Sequence, residues 1–178
     1  TKVKAQLKEN KELAPMLGIA ASLSFLLMMF NVPIPGGTTA HAVGGVLLSI
    51  LIGPYAASLA LTVALLLQAL LFGDGGILAL GANIFNMAIA MPFVGYAVYN
   101  FFRKQNHETA GVLVGSYVGI NVAAFLTAIE LGIQPIIATQ GGEPLYNPYG
   151  LAVTIPAMMV THLTIAGAVE VFFTYVIY

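Results

Sequence analysis

The side chains in this sequence that could bind a metal ion are few, and one of them lies in an unusual setting. His41 is flanked by two Gly-Gly pairs, in the stretch Gly36-Gly-Thr-Thr-Ala-His-Ala-Val-Gly-Gly. An imidazole coordinates borderline divalent metal ions, and glycines allow the backbone to approach a small ligand closely. His41 is therefore a candidate metal ligand, and a histidine hydrogen-bonded between helices is the alternative interpretation.

Four further polar residues are candidates because each borders or interrupts an apolar run. Asp74 lies in Phe-Gly-Asp-Gly-Gly, which is typical first of a tight turn and only second of a ligand. Asn83 begins another apolar run, where its amide could orient a ligand or pack between helices. His162 and Glu170 lie within the last apolar run, where an ionisable side chain is either functional or satisfied by an interhelical hydrogen bond.

Sequence patterns that indicate catalysis are missing. The chain has no Ser/His/Asp order, phosphate-binding glycine loop, zinc-protease helix or paired carboxylates. His162 and Glu170 are the best acid–base pair, but a spacing of two helical turns lets them share a face without touching. The chain has no cysteine, which excludes disulfides and thiolate metal sites. We therefore predict a protein that is not an enzyme and carries no prosthetic group.

The composition predicts the class of protein that must position these residues. The chain has 178 residues, of which 59% are hydrophobic and 7% are charged, and its mean hydropathy is +0.92. A soluble domain has about 25% charged residues. The formal net charge is -1, and no basic stripe with interleaved aromatic residues occurs, so nucleic acid is not an expected partner. These features predict a multi-pass membrane protein in a lipid bilayer.

The apolar runs predict an all-α integral membrane protein with a bundle of about six transmembrane helices in a single domain, 1–178. Crossing about 30 Å of hydrocarbon takes about 20 apolar residues. Gly53-Pro54 divides one run that is too long for a single span, because proline suits the first position of a helix. Gly111, Gly115 and Gly119 predict close approach of one helix to another. The predicted spans are 13–30, 39–52, 54–72, 77–102, 109–131 and 150–178.

The positive charges predict the orientation of the bundle. All Lys and Arg residues fall in the segment 1–12 or at Arg103-Lys104. Because cytoplasmic loops carry the excess of Lys and Arg, we expect both groups inside the cell, with the protein in the cell membrane. The six-span arrangement then places His41, Asp74 and Asn83 near the outer ends of spans. We expect them to share a pocket that faces outward.

Three motifs in fixed order closely resemble a known family. They are the run 31–45 with its central His41, the run Gln68-Ala-Leu-Leu-Phe-Gly-Asp-Gly-Gly after Gly53-Pro54, and Leu80-Gly-Ala-Asn-Ile-Phe-Asn-Met-Ala. This order resembles the nickel/cobalt substrate-binding component, or NikM/CbiM family, of energy-coupling-factor (ECF) transporters. The resemblance implies an S component of an ABC-type transporter that captures Ni²⁺ or Co²⁺ outside the cell. It also implies partners, namely a membrane T component and two cytoplasmic ATPases.

The resemblance also implies how the metal is held. In that family the free N-terminus of an initial Met-His pair chelates the metal together with a histidine in the glycine-flanked motif, which corresponds to His41. The sequence begins at Thr1 and contains neither the Met-His pair nor the first family helix. We expect an additional N-terminal helix ahead of Thr1. We predict that His41 is a ligand and that Asp74, Asn83 and His162 orient or shape the site.

The choice of metal depends on the residues around His41. The version Thr-Thr-Ala-His-Ala-Val-Gly-Gly resembles the nickel branch of the family more than the cobalt branch, whose corresponding stretch usually carries Ser-His-Pro. A nitrogen-rich planar site suits Ni²⁺, although the general affinity order of divalent metals places Cu²⁺ above both Ni²⁺ and Co²⁺. We predict transported Ni²⁺, with Co²⁺ second. A membrane-embedded enzyme and a structural or channel subunit without metal specificity are the alternatives.

Overall fold

The computed structural model describes residues 2–34 and 38–178, and helices make up most of this part of the chain. The helices, named here in chain order, are α1 (Lys2–Glu9), α2 (Leu13–Met28), α3 (Gly45–Ile52), α4 (Pro54–Phe72), α5 (Leu80–Arg103), α6 (Glu108–Ile137) and α7 (Leu151–Ile177). Two antiparallel ribbons join them, β1 (Val32–Ile34) with β2 (Thr38–Ala40), and β3 (Thr139–Gln140) with β4 (Glu143–Pro144).

Four helices of the described chain, α4 to α7, are long and apolar enough to cross a membrane. Helix α2 is a shorter apolar helix of 16 residues, and α3 has 8 residues, about 12 Å at about 1.5 Å per residue. The protein is therefore an all-α membrane protein, as the composition predicts. Each predicted span contains one helix or helical run, and the bounds differ most at two of them.

The first difference is at the predicted span 39–52, where the helix begins only at Gly45. Residues 38–40 instead pair with 32–34, in the register Val32↔Ala40 and Ile34↔Thr38. Gly44 has φ of 73°, the left-handed conformation that favours glycine and that precedes the helix here. His41 consequently lies in a short loop between strand β2 and helix α3 and not inside a helix.

The second difference is at the end of α6, which continues to Ile137 instead of ending at 131. Pro135 lies inside the helix and lacks the N–H that would bond to the carbonyl of Leu131. The Asn147 Nδ2 amide donates to that carbonyl at 2.8 Å. This side chain replaces the missing backbone donor. The segment between the last two helices, predicted as 132–149, is therefore shortened to the ribbon β3–β4 and its flanks.

The glycines of α6 bring this helix close to α5, as their spacing predicts. A methyl group built on Gly115 would lie 2.8 Å from the carbonyl oxygen of Gly95, and one on Gly111 would lie 2.9 Å from that of Tyr99. Such distances are shorter than carbon–oxygen contacts allow. The absence of side chains therefore permits the two backbones to pack together.

The distribution of polar and apolar side chains is that of a protein in lipid. Several polar side chains are fully buried, among them Ser24, Asn86, Ser116 and Glu170. Large apolar side chains face outward along the helices, such as Ile19 at 69% exposure and Val160 at 64%. Hydrocarbon solvates such a surface, whereas water does not.

Candidate metal centre

A cavity of about 120 Å³ lies where the loop of His41 meets the ends and middles of helices α4 to α7. All four residues predicted from the sequence as site residues line it: His41, Asp74, Asn83 and His162. They come from four separate segments of the chain. Further polar lining residues are Thr39, Gln68 and Thr127, and the apolar lining includes Val43, Leu65, Met87, Ile120 and Met158.

The loop that carries His41 is fixed from two sides. The Ser24 hydroxyl of α2 donates to the Val43 carbonyl at 2.7 Å. The Glu170 carboxylate of α7 accepts the N–H of Val43 at 2.7 Å and that of Gly44 at 3.0 and 3.1 Å. All three hydrogen bonds are buried. The backbone immediately after His41 is therefore held by helices that are distant in sequence.

The His41 ring itself is available for coordination. Its Nδ1 lies 3.3 Å from the Ala42 carbonyl oxygen, which can only accept, so the proton belongs on Nδ1 and the lone pair on Nε2. His41 lies in the loop before α3, outside the helical spans, and burial lowers the pKa of its imidazole. A neutral imidazole is the form that binds a metal ion.

His162 lines the same cavity from helix α7 and is 6% exposed. Its Nδ1 is 2.9 Å from the Met158 carbonyl one turn earlier. By the same reasoning as for His41, Nε2 keeps its lone pair. The sequence left open whether His162 forms an interhelical bond or serves a site, and the structure shows a bond within its own helix and a place in the cavity wall.

Asp74 and Asn83 both lie near the junction of α4 and α5. Asp74 lies in a turn between Gly73 and Gly75, which both have positive φ, and its N–H bonds to the Gln68 carbonyl at 3.2 Å. The Asn83 amide donates to the Gly75 carbonyl at 3.3 Å. The turn expected from the Asp/Gly pattern is therefore present, and Asn83 braces it against the start of α5.

Three π-helical turns contribute to the cavity wall. They span Gln68–Phe72 in α4, Ile84–Ala90 in α5 and His162–Ala166 in α7. Each contains a lining residue, Gln68, Met87 or His162. A π turn inserts an extra residue into a helix and re-aims the side chains around it, and such turns are frequent at functional sites. Sequence periodicity does not detect a single π turn, so this shared feature was not predicted.

Gln68 is the most informative lining residue that the sequence analysis did not single out. It is 5% exposed, and its Nε2 has no hydrogen-bond partner among the residues that the structure describes. A buried amide donor without an acceptor is costly in a folded protein. Two signals were available, namely an amide in the middle of an apolar run and its position at the start of the second motif that carries the family resemblance.

The side chains around the cavity can supply part of a coordination sphere. Within residues 2–34 and 38–178, no group of three or more His, Cys, Asp or Glu side chains is arranged to hold a metal ion. A water molecule occupies about 30 Å³ of liquid volume, so the cavity has room for an ion together with several ligand atoms. The geometry suits a metal ion that brings further ligands or receives them from another segment.

Comparison with known proteins gives the family. Residues 1–178 match the family CbiM, described as the cobalt uptake substrate-specific transmembrane region. The chain is 66% identical over 178 residues to the probable fused nickel transport protein LarMN of Lactiplantibacillus plantarum, covering 99% of this chain and 54% of that protein. It is 49% identical over 167 residues to the fused nickel transport protein NikMN of Rhodobacter capsulatus, covering 90% of this chain and 48% of that protein.

A more distant relative and a solved structure indicate the same family. The cobalt transport protein CbiM of Clostridium tetani is 32% identical over 140 residues, which cover 79% of this chain and 57% of that protein. A crystal structure of a truncated transition metal transporter superposes with a TM-score of 0.92 at 54% identity, covering 98% of this chain and 83% of that one. The chain spans about half the length of the fused nickel relatives. The chain belongs to the CbiM/NikM family of nickel and cobalt transport proteins.

Proposed function

We propose that this chain is the substrate-binding membrane subunit of an ECF-type transporter, which captures Ni²⁺ from outside the cell for ATP-driven uptake. Co²⁺ is the second candidate. The observation that carries the proposal is the convergence of His41, Asp74, Asn83 and His162 on one cavity. Polar side chains are scarce in this chain, so their convergence from four segments indicates a site for a polar or charged ligand.

His41 is the proposed side-chain ligand. Its Nε2 keeps a lone pair, the backbone just after it is held by Ser24 and Glu170, and its pKa is lowered by burial. The neutral ring therefore needs neither a large rearrangement nor proton loss before it binds a metal ion at neutral pH. The resemblance to the NikM/CbiM family supports the same residue.

The remaining ligands are proposed to come from the N-terminal Met-His pair that the resemblance implies. A terminal amine, a backbone nitrogen and an imidazole would supply three nitrogen atoms, and His41 would supply a fourth. This arrangement explains why the described side chains do not form a closed metal site of their own. It also accounts for a cavity that is larger than a bare ion requires.

The other predicted residues are proposed to shape the site. Asn83 holds the turn of Asp74, which places a carboxylate in the cavity wall and balances the charge of a divalent ion. His162 lines the cavity with a ring whose Nδ1 is already engaged by Met158. Truncating a residue that orients a ligand typically costs about 10–100-fold in metal affinity.

Nickel is preferred over cobalt because of the residues around His41 and the similar proteins. The two fused relatives at 66% and 49% identity carry nickel in their names, and relatives named for cobalt, such as that of Clostridium tetani at 32%, are less similar. A set of nitrogen ligands in one plane also suits Ni²⁺. The proposed cargo is therefore Ni²⁺, with Co²⁺ as a weaker ligand of the same cavity.

The energy for uptake is proposed to come from partners, in the cell membrane and on its cytoplasmic side. The sequence contains no nucleotide-binding motif, so a membrane T component and two ATPases would supply hydrolysis. A catalytic role is less well supported, because His162 bonds to Met158 while Glu170 bonds to the loop of His41. The two residues do not form the acid–base pair that an enzyme would need.

Thermal unfolding in detergent tests the proposal against the enzyme and channel alternatives. The protein is prepared with the Met-His N-terminus and stripped of metal, and Ni²⁺, Co²⁺ or Mg²⁺ is then added. A ligand at about 100 times its Kd stabilises the folded state by about 2.7 kcal/mol, so Ni²⁺ is expected to raise the Tm most and Co²⁺ less. Mg²⁺ prefers oxygen ligands and is expected to have no effect. Equal Tm values in all samples would contradict the proposal.

A further inference from the structure

Glu170 has the least ordinary environment of any ionisable side chain in the described part of the chain. It is fully buried in helix α7, and its carboxylate accepts only backbone donors: the Val43 N–H at 2.7 Å and the Gly44 N–H at 3.0 and 3.1 Å. The one ion pair found among the described residues is Arg103 with Glu108, so no cation offsets Glu170 there. An ionisable side chain buried within an apolar helix is by default a candidate for a functional role.

The two N–H groups that Glu170 accepts belong to the residues that follow His41 almost directly. Both N–H groups donate to the same carboxylate, so the loop presents a pair of converging donors to Glu170. Gly44 has φ of 73°, a left-handed conformation that favours glycine. A methyl group built on Gly44 would lie 2.9 Å from Leu27 Cδ1, so a side chain there would also disturb α2. The loop conformation and the carboxylate are thus matched to each other.

We propose that Glu170 is a positioning residue for the metal site, which holds His41 in coordinating geometry through the backbone of Val43 and Gly44. This proposal rests on the proposed function, in which His41 binds the metal. Ser24 fixes the Val43 carbonyl from the other side, so the peptide plane after Val43 cannot rotate freely. Without Glu170, the loop keeps one anchor, and the His41 ring samples more orientations before it meets the metal.

Helix α7 would then have two roles in the site. His162 lines the cavity directly, and Glu170 follows two turns later, about 12 Å along the helix at about 1.5 Å per residue. One helix therefore contributes to the site both through the cavity lining and through the loop of His41. A residue that only stabilised the fold would not link the loop geometry to the wall in this way.

Two substitutions separate the effect of the hydrogen bonds from that of packing. Glu170→Met keeps a similar length but leaves both N–H groups without an acceptor. We expect about 10–100-fold weaker nickel binding, the usual cost of losing a group that orients a ligand. Glu170→Gln keeps one oxygen, which can occupy the place of Oε2 and accept from both Val43 and Gly44. Because a neutral acceptor is weaker, we expect a loss below about 10-fold.

Thr174→Val is the matched control. Thr174 lies one turn after Glu170 in the same helix, is also fully buried, and its hydroxyl oxygen has no hydrogen-bond partner among the described residues. The substitution preserves the shape of the side chain and does not touch the loop. Nickel affinity is expected to equal that of the wild type.

Two measurements carry the test, both on the protein with its Met-His N-terminus. Calorimetric titration gives the nickel affinity, and amide hydrogen exchange in the metal-free protein reports the protection of Val43 and Gly44. Faster exchange at these two amides together with weaker nickel binding in Glu170→Met, with neither change in Thr174→Val, supports the proposal. Wild-type affinity in folded Glu170→Met overturns it, whether or not exchange is faster.

The outcomes also separate this proposal from the proposed function. A wild-type protein that binds no nickel removes both, whereas nickel binding that is lost in His41→Ala but kept in Glu170→Met removes only the role of Glu170. If Glu170→Met fails to fold, Glu170→Gln decides: faster exchange at Gly44 with weaker binding supports the proposal, and unchanged values overturn it.

Discussion

At the scale of single residues, the site is a small polar interior in a protein whose exterior is apolar. His41 and His162 each use Nδ1 for a backbone carbonyl, and both rings lie in the cavity wall. Ser24 and Glu170 fix the loop of His41 before any metal arrives. A ligand held in this way loses little conformational entropy on binding, which favours affinity.

Gln68 gives a prediction at this scale. Among the residues that the structure describes, its Nε2 is buried at the cavity without a hydrogen-bond partner, so a substitution removes no hydrogen bond of this N–H group. Gln68→Met, which has similar length and no polar hydrogen, should therefore leave the stability of the metal-free protein equal or higher. Nickel affinity should fall, because the substitution removes the Nε2 N–H, which we expect to donate to an acceptor atom of the bound metal complex. Denaturation and metal titration measure the two effects.

The expected pair of results distinguishes a ligand-facing amide from a packing residue. Reduced stability of Gln68→Met with unchanged nickel affinity would contradict the interpretation. The fully buried Thr174, whose hydroxyl also has no partner in the described chain, offers a comparison away from the cavity. By the same reasoning, Thr174→Val is expected to leave stability equal or higher, but, unlike Gln68→Met, to leave nickel affinity unchanged.

The sequence could indicate candidate site residues only where a polar side chain interrupts or borders an apolar run. His41, Asp74, Asn83 and His162 were found because polar residues are rare in this chain, and the structure brings all four to one cavity. The part played by Glu170 could not be predicted, because its partners are backbone N–H groups 126 and 127 residues away. Side-chain types alone do not reveal which loop a buried carboxylate will hold.

At the scale of helices and strands, close packing and local irregularity position the cavity. Helices α5 and α6 touch through glycines, while α4, α5 and α7 each open into a π turn where they line the site. Pro135 would end α6 early, and the Asn147 amide compensates for it. The regular segments set the framework, and the irregular turns aim the polar side chains.

Gly115 gives a prediction at this scale. Its added methyl group would lie 2.8 Å from the backbone oxygen of Gly95, which cannot move away without shifting a helix. Gly115→Ala should therefore destabilise the protein by about 1–3 kcal/mol, the usual cost of overpacking. Gly18→Ala in α2 is the control, since a methyl group there meets nothing within 4 Å. Denaturant titration in detergent measures both, and equal stability of the two variants would contradict the packing argument.

The helices were predictable because the apolar runs are long and the glycine spacing is regular. Their ends were less so. The start of α3 at Gly45 follows from strand pairing of 38–40 with 32–34, and the end of α6 follows from an amide 16 residues away from its acceptor. Both are tertiary interactions, which override what a local sequence pattern can indicate.

At the scale of the whole molecule, the cavity and the positive charges lie at opposite ends. Helix α4 runs from Gly53 to the turn of Asp74, and α5 returns from Leu80 to Arg103. The Gln6 side chain of α1 lies beside Gly53, at the end remote from the cavity. The structure thus separates the cavity from the end of the bundle that carries the segment 1–12 and Arg103-Lys104. That this charged end faces the cytoplasm, and the cavity the outside, stays a prediction from the distribution of Lys and Arg.

Cysteine labelling in intact cells tests this topology, on a background without cysteine. Gln140→Cys, in the exposed ribbon β3–β4, should react with a membrane-impermeant maleimide added outside. Lys104→Cys, at the other end of the 30-residue helix α6, should react only after the cells are permeabilised. Labelling of residue 104 from outside, with residue 140 protected, would show that the orientation is the reverse of the predicted one and that the cavity faces the cytoplasm.

The central claim is that His41 binds the transported metal, and calorimetric titration with Ni²⁺ tests it most directly. The protein with its Met-His N-terminus is titrated as wild type, as His41→Ala and as His107→Ala. His107 is an exposed histidine in the loop between α5 and α6, remote from the cavity, and serves as the matched control. We expect tight nickel binding in the wild type and in His107→Ala, and none in His41→Ala. Unchanged nickel affinity in a folded His41→Ala protein would contradict the claim.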